Sequence, residues 1–270
     1  MTGVAAALAA ARAEGRAALV GYLPVGFPDV ETSVAAMVAM VEAGVDIVEV
    51  GVPYSDPLMD GPVIQAAVDA ALRGGARTTD AIAAAGAVAR SGAPALVMTY
   101  WNIVERYGVD AFATDLAAAG GAGLITPDLI PDEAGEWLAA SDAHGLDRVF
   151  LVAPSSTEVR LRATTAACRG FVYAASTMGV TGVRASLGDA AAVLVARTRE
   201  VTDVPVCVGL GVSTGAQAAE VATYADGVIV GSALVRALAE AASPAEGVAA
   251  VARLAAELSD GVRSGRRQPV

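Results

Sequence analysis

Short runs of consecutive apolar residues recur along the chain, separated by alanine-rich segments in which apolar positions repeat at helical spacing. Most runs are apolar on successive residues and do not alternate with polar ones, which is typical of strands covered on both faces, as in a parallel sheet. Eight runs are predicted as strands: 17–23, 45–51, 94–100, 122–126, 148–152, 170–175, 204–209 and 226–231.

The segments between these runs are predicted as helices. The segment 31–43 has apolar residues at i, i+3, i+4 and i+7 spacing, follows a candidate N-cap, Asp29, and stops near Gly44. No linker rich in Ser, Gly or Pro separates the helical patterns. The further patterns lie near 61–73, 78–91, 109–119, 132–143, 187–200, 213–223 and 244–259.

Strands that alternate with helices on one uninterrupted chain favour an α/β fold, the (β/α)8 TIM barrel. An open doubly wound sheet would more often carry GxGxxG after its first strand, where this chain reads GYLPVGFPD. We therefore expect one (β/α)8 barrel domain over residues 1–270, with an N-terminal helix before the first strand and a short frayed C-terminal tail, SGRRQPV.

The charge balance narrows the function classes. The chain has 18 Lys and Arg against 29 Asp and Glu, a formal net charge of −11, which disfavours a nucleic acid as partner. The longest uncharged stretch, between Asp203 and Glu220, is interrupted by proline and glycines and is too short to span a bilayer. The N-terminal segment has no basic residue before its first apolar run and reads as a helix, so we expect no export signal and no membrane.

Cysteine and histidine are scarce. Cys168, Cys207 and His144 leave little material for disulfides, a metal site or a Ser/His/Asp triad, so we expect no metal and a reducing, cytoplasmic compartment. Cys207 lies in an apolar run and is expected to be buried. His144 precedes Gly145 at a predicted helix end, where a solvated histidine suits the helix C-terminus.

Two carboxylates follow the second predicted strand, and the active site of a TIM barrel lies at the carboxyl ends of its strands. Glu49 stands near the end of an otherwise apolar strand, where burial raises the pKa of a carboxyl group toward neutrality and suits it to acid–base work. An outward-facing or arginine-paired Glu49 is the alternative. Asp60 follows in a proline-stiffened loop, either as a second carboxylate over the same mouth or as the N-cap of the next helix.

Glycines mark the ends of the last two predicted strands. Gly209 and Gly211 permit close backbone approach, and Gly231 and Ser232 stand where a short helix begins. TIM barrels often bind phosphate at this place, although ordinary glycine turns are the alternative. The loop 176–187 after the sixth strand is rich in small residues and could close over a phosphate.

These motifs carry a family resemblance. The segment EVGVPYSDPLMDGP at 49–62, with GVTG at 179–182, GLGV at 209–212 and GSA at 231–233, resembles the α subunit of tryptophan synthase, and the resemblance covers essentially the whole chain. It implies retro-aldol cleavage of indole-3-glycerol phosphate to indole and glyceraldehyde 3-phosphate, with no cofactor in this subunit. By the same resemblance, Glu49 is the acid and base and Asp60 is the carboxylate beside the indole nitrogen.

The resemblance also implies substrate contacts and a partner. Tyr22 and Tyr100 would line the indole pocket, Tyr173 would approach the glycerol end, and Thr181 would touch or orient the carboxylates. The implied phosphate contacts are Gly182, Gly211, Gly231 and Ser232. The implied partner is a pyridoxal-phosphate β subunit in an α2β2 heterotetramer, which receives indole by channelling. It would dock on Asp56, Pro57 and Leu58, on segment 100–102 with Asn102, and on the turn 127–128 with Asp128.

Two other functions stay open at this point. One is a free-standing indole-3-glycerol-phosphate lyase that releases indole, which would use the same site. The other is a non-catalytic barrel that only gates its partner, against which the intact pair Glu49 and Asp60 argues.

Overall fold

The computed structural model describes residues 3–175 and 187–265. Within them, nine strands form one sheet in which each neighbouring pair is parallel. The strands are β1 (Ala18–Pro24), β2 (Ile47–Gly51), β3 (Ala95–Met98), β4 (Gly123–Ile125), β5 (Asp147–Val149), β6 (Leu151–Val152), β7 (Val172–Ala175), β8 (Val206–Gly209) and β9 (Gly227–Val230).

The sheet closes into a barrel. Its order is β5-β4-β3-β2-β1-β9-β8-β7-β6, so β5 and β6 stand at its two ends. Only Phe150 separates β5 from β6 in the chain, and its carbonyl accepts a hydrogen bond of 3.1 Å from the Tyr173 amide. The predicted fifth strand, 148–152, is therefore one barrel strand interrupted at a single residue. The predicted TIM-barrel fold is confirmed.

Helices cover the sheet and close its amino-terminal end. The described helices are α1 (Val4–Ala13), α2 (Val30–Glu42), α3 (Pro62–Arg73), α4 (Thr78–Ser91), α5 (Trp101–Tyr107), α6 (Val109–Ala119), α7 (Gly135–His144), α8 (Glu158–Ala167), α9 (Leu187–Arg199), α10 (Gly215–Ala222), α11 (Ser232–Ala239) and α12 (Pro244–Ser264), with a 3-10 turn at Pro131–Glu133. No helix within the described ranges is long and apolar enough to cross a membrane.

The local signals in the sequence were informative at the helix ends. Asp29 caps α2, since its carboxylate accepts a hydrogen bond of 2.7 Å from the Thr32 amide. His144 ends α7 and is followed by Gly145 in the left-handed region at φ +65°. Asp60 is not the cap of α3, because Gly61 occupies that position.

Neither α5 nor α8 is among the helical segments predicted from the sequence. Helix α5 is short, and the carboxylate at its start comes from Asp128, far along the chain. Helix α8 has a weak apolar stripe, with Leu161, Thr164 and Thr165 as its buried residues. The predicted helix 132–143 begins instead with the 3-10 turn and continues as α7. The predicted frayed tail, apart from Ser264 and Gly265, lies outside the described residues.

The inside of the barrel is filled by side chains from alternate positions of the strands. Helix α1 packs against the amino-terminal end of this interior through Val4, Leu8 and Ala11. The side chains from the strands include Val20, Ile47, Leu96, Ile125, Val149, Phe171, Cys207 and Ile229. Cys168 and Cys207 are both buried. The interior is thus solid at the amino-terminal end, and the opening lies at the opposite end.

Candidate active site

A cavity of about 240 Å³ opens at the carboxyl ends of the barrel strands. It brings together two carboxylates, two tyrosines and the glycines that follow β8 and β9. Its lining residues are Tyr22, Glu49, Met59, Asp60, Gly61, Ile64, Met98, Leu151, Tyr173, Ala175, Gly209, Leu210, Gly211, Ile229, Gly231 and Ser232. The two carboxylates predicted from the sequence to share the barrel mouth therefore do share it.

Glu49 points into this cavity from the middle of β2, where its register partner on β1 is Tyr22. The residue is 1% exposed, and neither carboxylate oxygen has a hydrogen-bond partner among the described residues. Burial disfavours the charged form and raises the pKa of Glu49 to about 8. The outward-facing and arginine-paired alternatives for Glu49 are therefore wrong within the described chain.

Asp60 reaches the same cavity from the loop between β2 and α3. It is half-buried, and burial raises the pKa of its carboxyl group above the ordinary value. Its main-chain carbonyl accepts a hydrogen bond of 2.7 Å from Gln65 Nε2 on α3, which ties the end of the loop to the helix. Because Asp60 is only partly enclosed, it ionises more readily than Glu49, and the two acids sit in different environments.

Tyr22 and Tyr173 line the cavity, and glycines on the neighbouring strands make room for their rings. A Cβ atom built on Gly51 would overlap the Tyr22 hydroxyl, and one on Gly209 would lie 2.6 Å from the Tyr173 hydroxyl. Burial is the main cause that raises the pKa of both phenols well above the ordinary value. The nearby carboxylates of Asp60 and Glu49 raise the pKa of Tyr22 further, and that of Glu49 does the same for Tyr173. Both hydroxyls are therefore neutral.

Tyr100 lies at the start of α5, as its N-cap residue. It is 6% exposed but is not among the described residues that line the cavity, where β3 contributes Met98 instead. The Tyr100 hydroxyl oxygen accepts hydrogen bonds from the amides of Leu58 and Met59, at 2.9 and 3.1 Å. Tyr100 therefore contacts the loop that carries Asp60.

The far side of the cavity is built by backbone. Gly211, at φ +77°, follows β8, and Gly231 and Ser232 form the start of α11. No side chain within the described residues caps α11, so the amides of its first turn face the cavity end of the helix. This arrangement suits an anion. Thr181 and Gly182, predicted to contact substrate and phosphate, and the rest of the predicted closing loop up to residue 186 lie outside the described residues.

The predicted partner residues lie around the rim of the same mouth. Leu58 is 81% exposed, Asp56 is exposed and Pro57 is partly exposed. Asn102 Nδ2 donates to the Tyr54 hydroxyl at 3.1 Å. Both Asp128 carboxylate oxygens accept from the Trp101 amide, at 3.0 and 3.1 Å.

Sequence reasoning missed the apolar lining of the cavity. The missed residues are Met59, Ile64, Met98, Leu151, Leu210 and Ile229. The side chains of Met98, Leu151 and Ile229 share the inward parity of their strands, and counting alternate positions from the strand ends would have found them. The described residues contain no cluster of three or more His, Cys, Asp or Glu that could hold a metal ion.

Comparisons with known proteins agree with this architecture. The family model for the tryptophan synthase alpha chain matches residues 8–263. The tryptophan synthase alpha chain of Salinispora arenicola (strain CNS-205) is 66% identical over 264 residues, covering 98% of this chain and 99% of the relative. That of Mycobacterium ulcerans (strain Agy99) is 65% identical over 258 residues, covering 96% of this chain and 93% of the relative.

Solved structures give the same result. A crystal structure of tryptophan synthase from M. tuberculosis, in an open form with BRD0059 bound, matches with a TM-score of 0.89 and 61% identity, covering 96% of this chain and 98% of that one. Tryptophan synthase subunit alpha from Legionella pneumophila str. Paris matches with a TM-score of 0.86 at 30% identity, covering 97% and 98%.

The closed parallel barrel, with its cavity at the carboxyl ends of the strands, places the chain among the TIM-barrel enzymes. Within that class the sequence comparisons are specific over nearly the full length. The chain belongs to the tryptophan synthase alpha chain family, and it is a lyase of the tryptophan synthase class.

Proposed function

We propose that the chain cleaves indole-3-glycerol phosphate to indole and glyceraldehyde 3-phosphate in the cavity at the barrel mouth, as the last-step α reaction of tryptophan biosynthesis. The observation that carries this proposal is that Glu49 is buried, has no hydrogen-bond partner among the described residues and faces the same cavity as Asp60. A buried acid without a partner is costly for stability, which is a reason to look for its use in a reaction.

Cleavage needs two proton movements on opposite sides of one carbon–carbon bond. A proton added at indole C3 gives a cationic indolenine, and removal of the proton from the adjacent glycerol hydroxyl lets that carbon become the aldehyde. The electrons of the broken bond then return to the ring and regenerate indole. One group that first gives and then takes a proton serves both steps.

Glu49 fits this double role. With its pKa raised to about 8 by burial, Glu49 is protonated at neutral pH and can give its proton to C3 first. The resulting carboxylate is then a strong enough base for the glycerol hydroxyl. Asp60 is the more exposed acid, and as a carboxylate it accepts the indole N–H hydrogen bond and stabilises the cation.

The lining of the cavity supports the remaining proposed contacts. The apolar side chains Ile64, Met98 and Leu151 suit the indole ring, with Tyr22 beside it and Tyr173 toward the glycerol chain. The phosphate occupies the open start of α11, between Gly211 and Gly231, where main-chain amides and the Ser232 hydroxyl can donate. Thr181 and Gly182 complete the site by family resemblance.

A β subunit that carries pyridoxal phosphate is the proposed partner, and the α chain itself requires no cofactor. The surface offered to it is the rim of Asp56, Pro57, Leu58, Asn102 and Asp128, where a large apolar side chain is left in solvent. We propose an α2β2 assembly in the cytoplasm in which indole passes from this cavity to the partner. Tyr100 joins this rim from below, through its contact with the Leu58 amide.

An indole-release assay on indole-3-glycerol phosphate tests the proposal, with the wild-type chain, Glu49→Gln and Asp60→Asn, each with and without the β subunit. We expect both variants to lose activity by about 100-fold or more. Wild-type turnover should rise strongly when the β subunit is added. High turnover without that rise would favour the free-standing lyase, and full activity in Glu49→Gln would remove Glu49 from its role. If the wild-type chain in complex with the β subunit cleaved no substrate, the remaining function would be the non-catalytic barrel that gates its partner.

A further inference from the structure

The loop between β2 and α3 carries Asp60 but is not held by apolar packing. From Tyr54 to Asp60 none of its residues is buried, and Leu58 and Met59 are 81% and 46% exposed. The Ser55 hydroxyl bonds only within the loop, to Asp56. Something other than a hydrophobic core must therefore fix where the Asp60 carboxylate stands.

The Tyr100 hydroxyl holds the loop backbone in place. The oxygen accepts from two successive amides, those of Leu58 and Met59, at 2.9 and 3.1 Å, immediately before Asp60 in the chain. The ring of Tyr100 lies 4.7 Å from the ring of Tyr54, and Asn102 donates to the Tyr54 hydroxyl at 3.1 Å. The loop is thus attached to the start of α5 at two separate points.

Tyr100 is itself held firmly. It is 6% exposed, and the next amide along the chain, that of Trp101, donates to both oxygens of Asp128 at 3.0 and 3.1 Å. A carboxylate at a helix N-terminus is a favourable arrangement, which stabilises the first turn of α5. The Tyr100 hydroxyl is therefore held in a fixed position, whereas the two residues whose amides donate to it, Leu58 and Met59, have exposed side chains.

We propose that Tyr100 is a positioning residue that sets the place of the Asp60 carboxylate by anchoring the backbone of the preceding two residues. The inference rests on the proposed role of Asp60 in cleavage. A displacement of about 1 Å in a group that stabilises a developing charge can lower the rate about 100-fold. The resemblance assigns Tyr100 to the indole pocket, and its contacts with the Leu58 and Met59 amides add this positioning role.

The test compares Tyr100→Phe with Tyr107→Phe, in the chain complexed with its β subunit. Tyr107 lies on the same helix, and its hydroxyl donates at 2.6 Å to Asp115, away from the loop. We expect Tyr100→Phe to speed amide hydrogen exchange at Leu58 and Met59 by about 3- to 10-fold, the effect of losing one hydrogen bond each. Its kcat for indole release should fall about 10- to 100-fold, while Tyr107→Phe changes neither.

Inhibition by inorganic phosphate supplies a readout that general damage to the barrel would move. The phosphate end at α11 does not touch Tyr100, so the inhibition constant should stay within about twofold of wild type in Tyr100→Phe. Even without a variant, the amides of Leu58 and Met59 in the wild type should exchange more slowly than those of Ser55 and Asp56, although all four residues lie in one exposed loop.

Two results would overturn the inference. One is exchange at Leu58 and Met59 that does not change in Tyr100→Phe. The other is faster exchange with a kcat equal to that of Tyr107→Phe. The proposed function fails separately, if Asp60→Asn releases indole at the wild-type rate, and that outcome leaves the exchange result readable by itself.

Discussion

Two buried ionisable side chains at opposite ends of the barrel have opposite surroundings. At the amino-terminal end Arg16, 6% exposed, donates from its two terminal nitrogens to both Asp46 oxygens at 2.7 and 2.8 Å. Its Nε donates to Glu14 at 2.7 Å. At the mouth Glu49 is 1% exposed, and the described residues offer its oxygens no partner.

The difference separates a structural charge from a reactive one. The hydrogen bond with Asp46 raises the pKa of Arg16, which fixes its charge, while burial alone raises the pKa of Glu49 to about 8 and leaves its proton exchangeable near neutral pH. A buried charge with matched partners holds two strands in register. A buried acid without them weakens the fold and is available for proton transfer.

Replacing Glu49 should have the largest effect on activity and should not lower stability at neutral pH. Glu49→Gln keeps the shape of the side chain, so we expect cleavage to fall by about 100- to 10,000-fold with the free energy of unfolding unchanged or raised. Indole release and urea unfolding measured on the same preparation check this. If Glu49→Gln lost stability as well as activity, the role of Glu49 would be structural instead.

Removing the partner from the paired member should cost stability and spare activity. Asp46→Asn leaves the Arg16 guanidinium buried with a weaker acceptor, and we expect a loss of about 3–5 kcal/mol in the free energy of unfolding. The control is Asp69→Asn, whose exposed pair with Arg73 at 3.7 Å should contribute less than about 1 kcal/mol. Equal losses in the two variants would mean that burial of the pair does not matter. The kcat of the folded Asp46→Asn chain should match the wild type.

The raised pKa of Glu49 also makes the stability of the fold depend on pH. Because the pKa of Glu49 rises from 4.5 to about 8 on folding, the folded chain keeps a proton that the unfolded chain releases. The contribution of Glu49 is therefore fully present below about pH 4.5 and declines until about pH 8. We expect wild-type stability, measured relative to Glu49→Gln, to fall by a few kcal/mol across that range.

The pH dependence of cleavage follows from the same ionisation. Above about pH 8 Glu49 has lost the proton that it gives to C3, so kcat/KM should decline there. A relative stability between wild type and Glu49→Gln that is flat with pH would contradict the raised pKa.

A smaller effect is expected at Gly51, where the absence of a side chain leaves room for the Tyr22 ring. In Gly51→Ala the new methyl group would overlap the Tyr22 hydroxyl and lie 2.7 Å from the Cζ and Cε2 atoms of its ring. We expect a stability loss of about 1–3 kcal/mol together with reduced turnover, as the ring shifts into the cavity. Gly135→Ala, which meets no atom within 4 Å, is the matched control for thermal unfolding and indole release. A Gly51→Ala chain that behaves like it would mean that the ring moves freely.

The sequence predicted the strands and helices of the barrel well because each of these patterns depends on residues that are close together in the chain. Unbroken apolar runs indicate strands covered on both faces, and these runs appear as β1 to β9, with the fifth divided at Phe150. The cap at Asp29 and the end of α7 at Gly145 were also predicted, since each depends on residues within one helical turn. Helix α5 was missed because its supporting carboxylate, Asp128, comes from another loop.

By itself, the sequence determined most of the strand and helix pattern, the excess of acidic residues and the place of Glu49 on the second strand. Only the tertiary structure decided that Asp60 faces the cavity and does not cap α3, and that Met98 enters the cavity. The physical reason is distance along the chain. Period and capping are set by neighbours within a few residues, whereas the direction of a side chain after its strand ends is set by contacts with other loops, such as the two amides that Tyr100 receives.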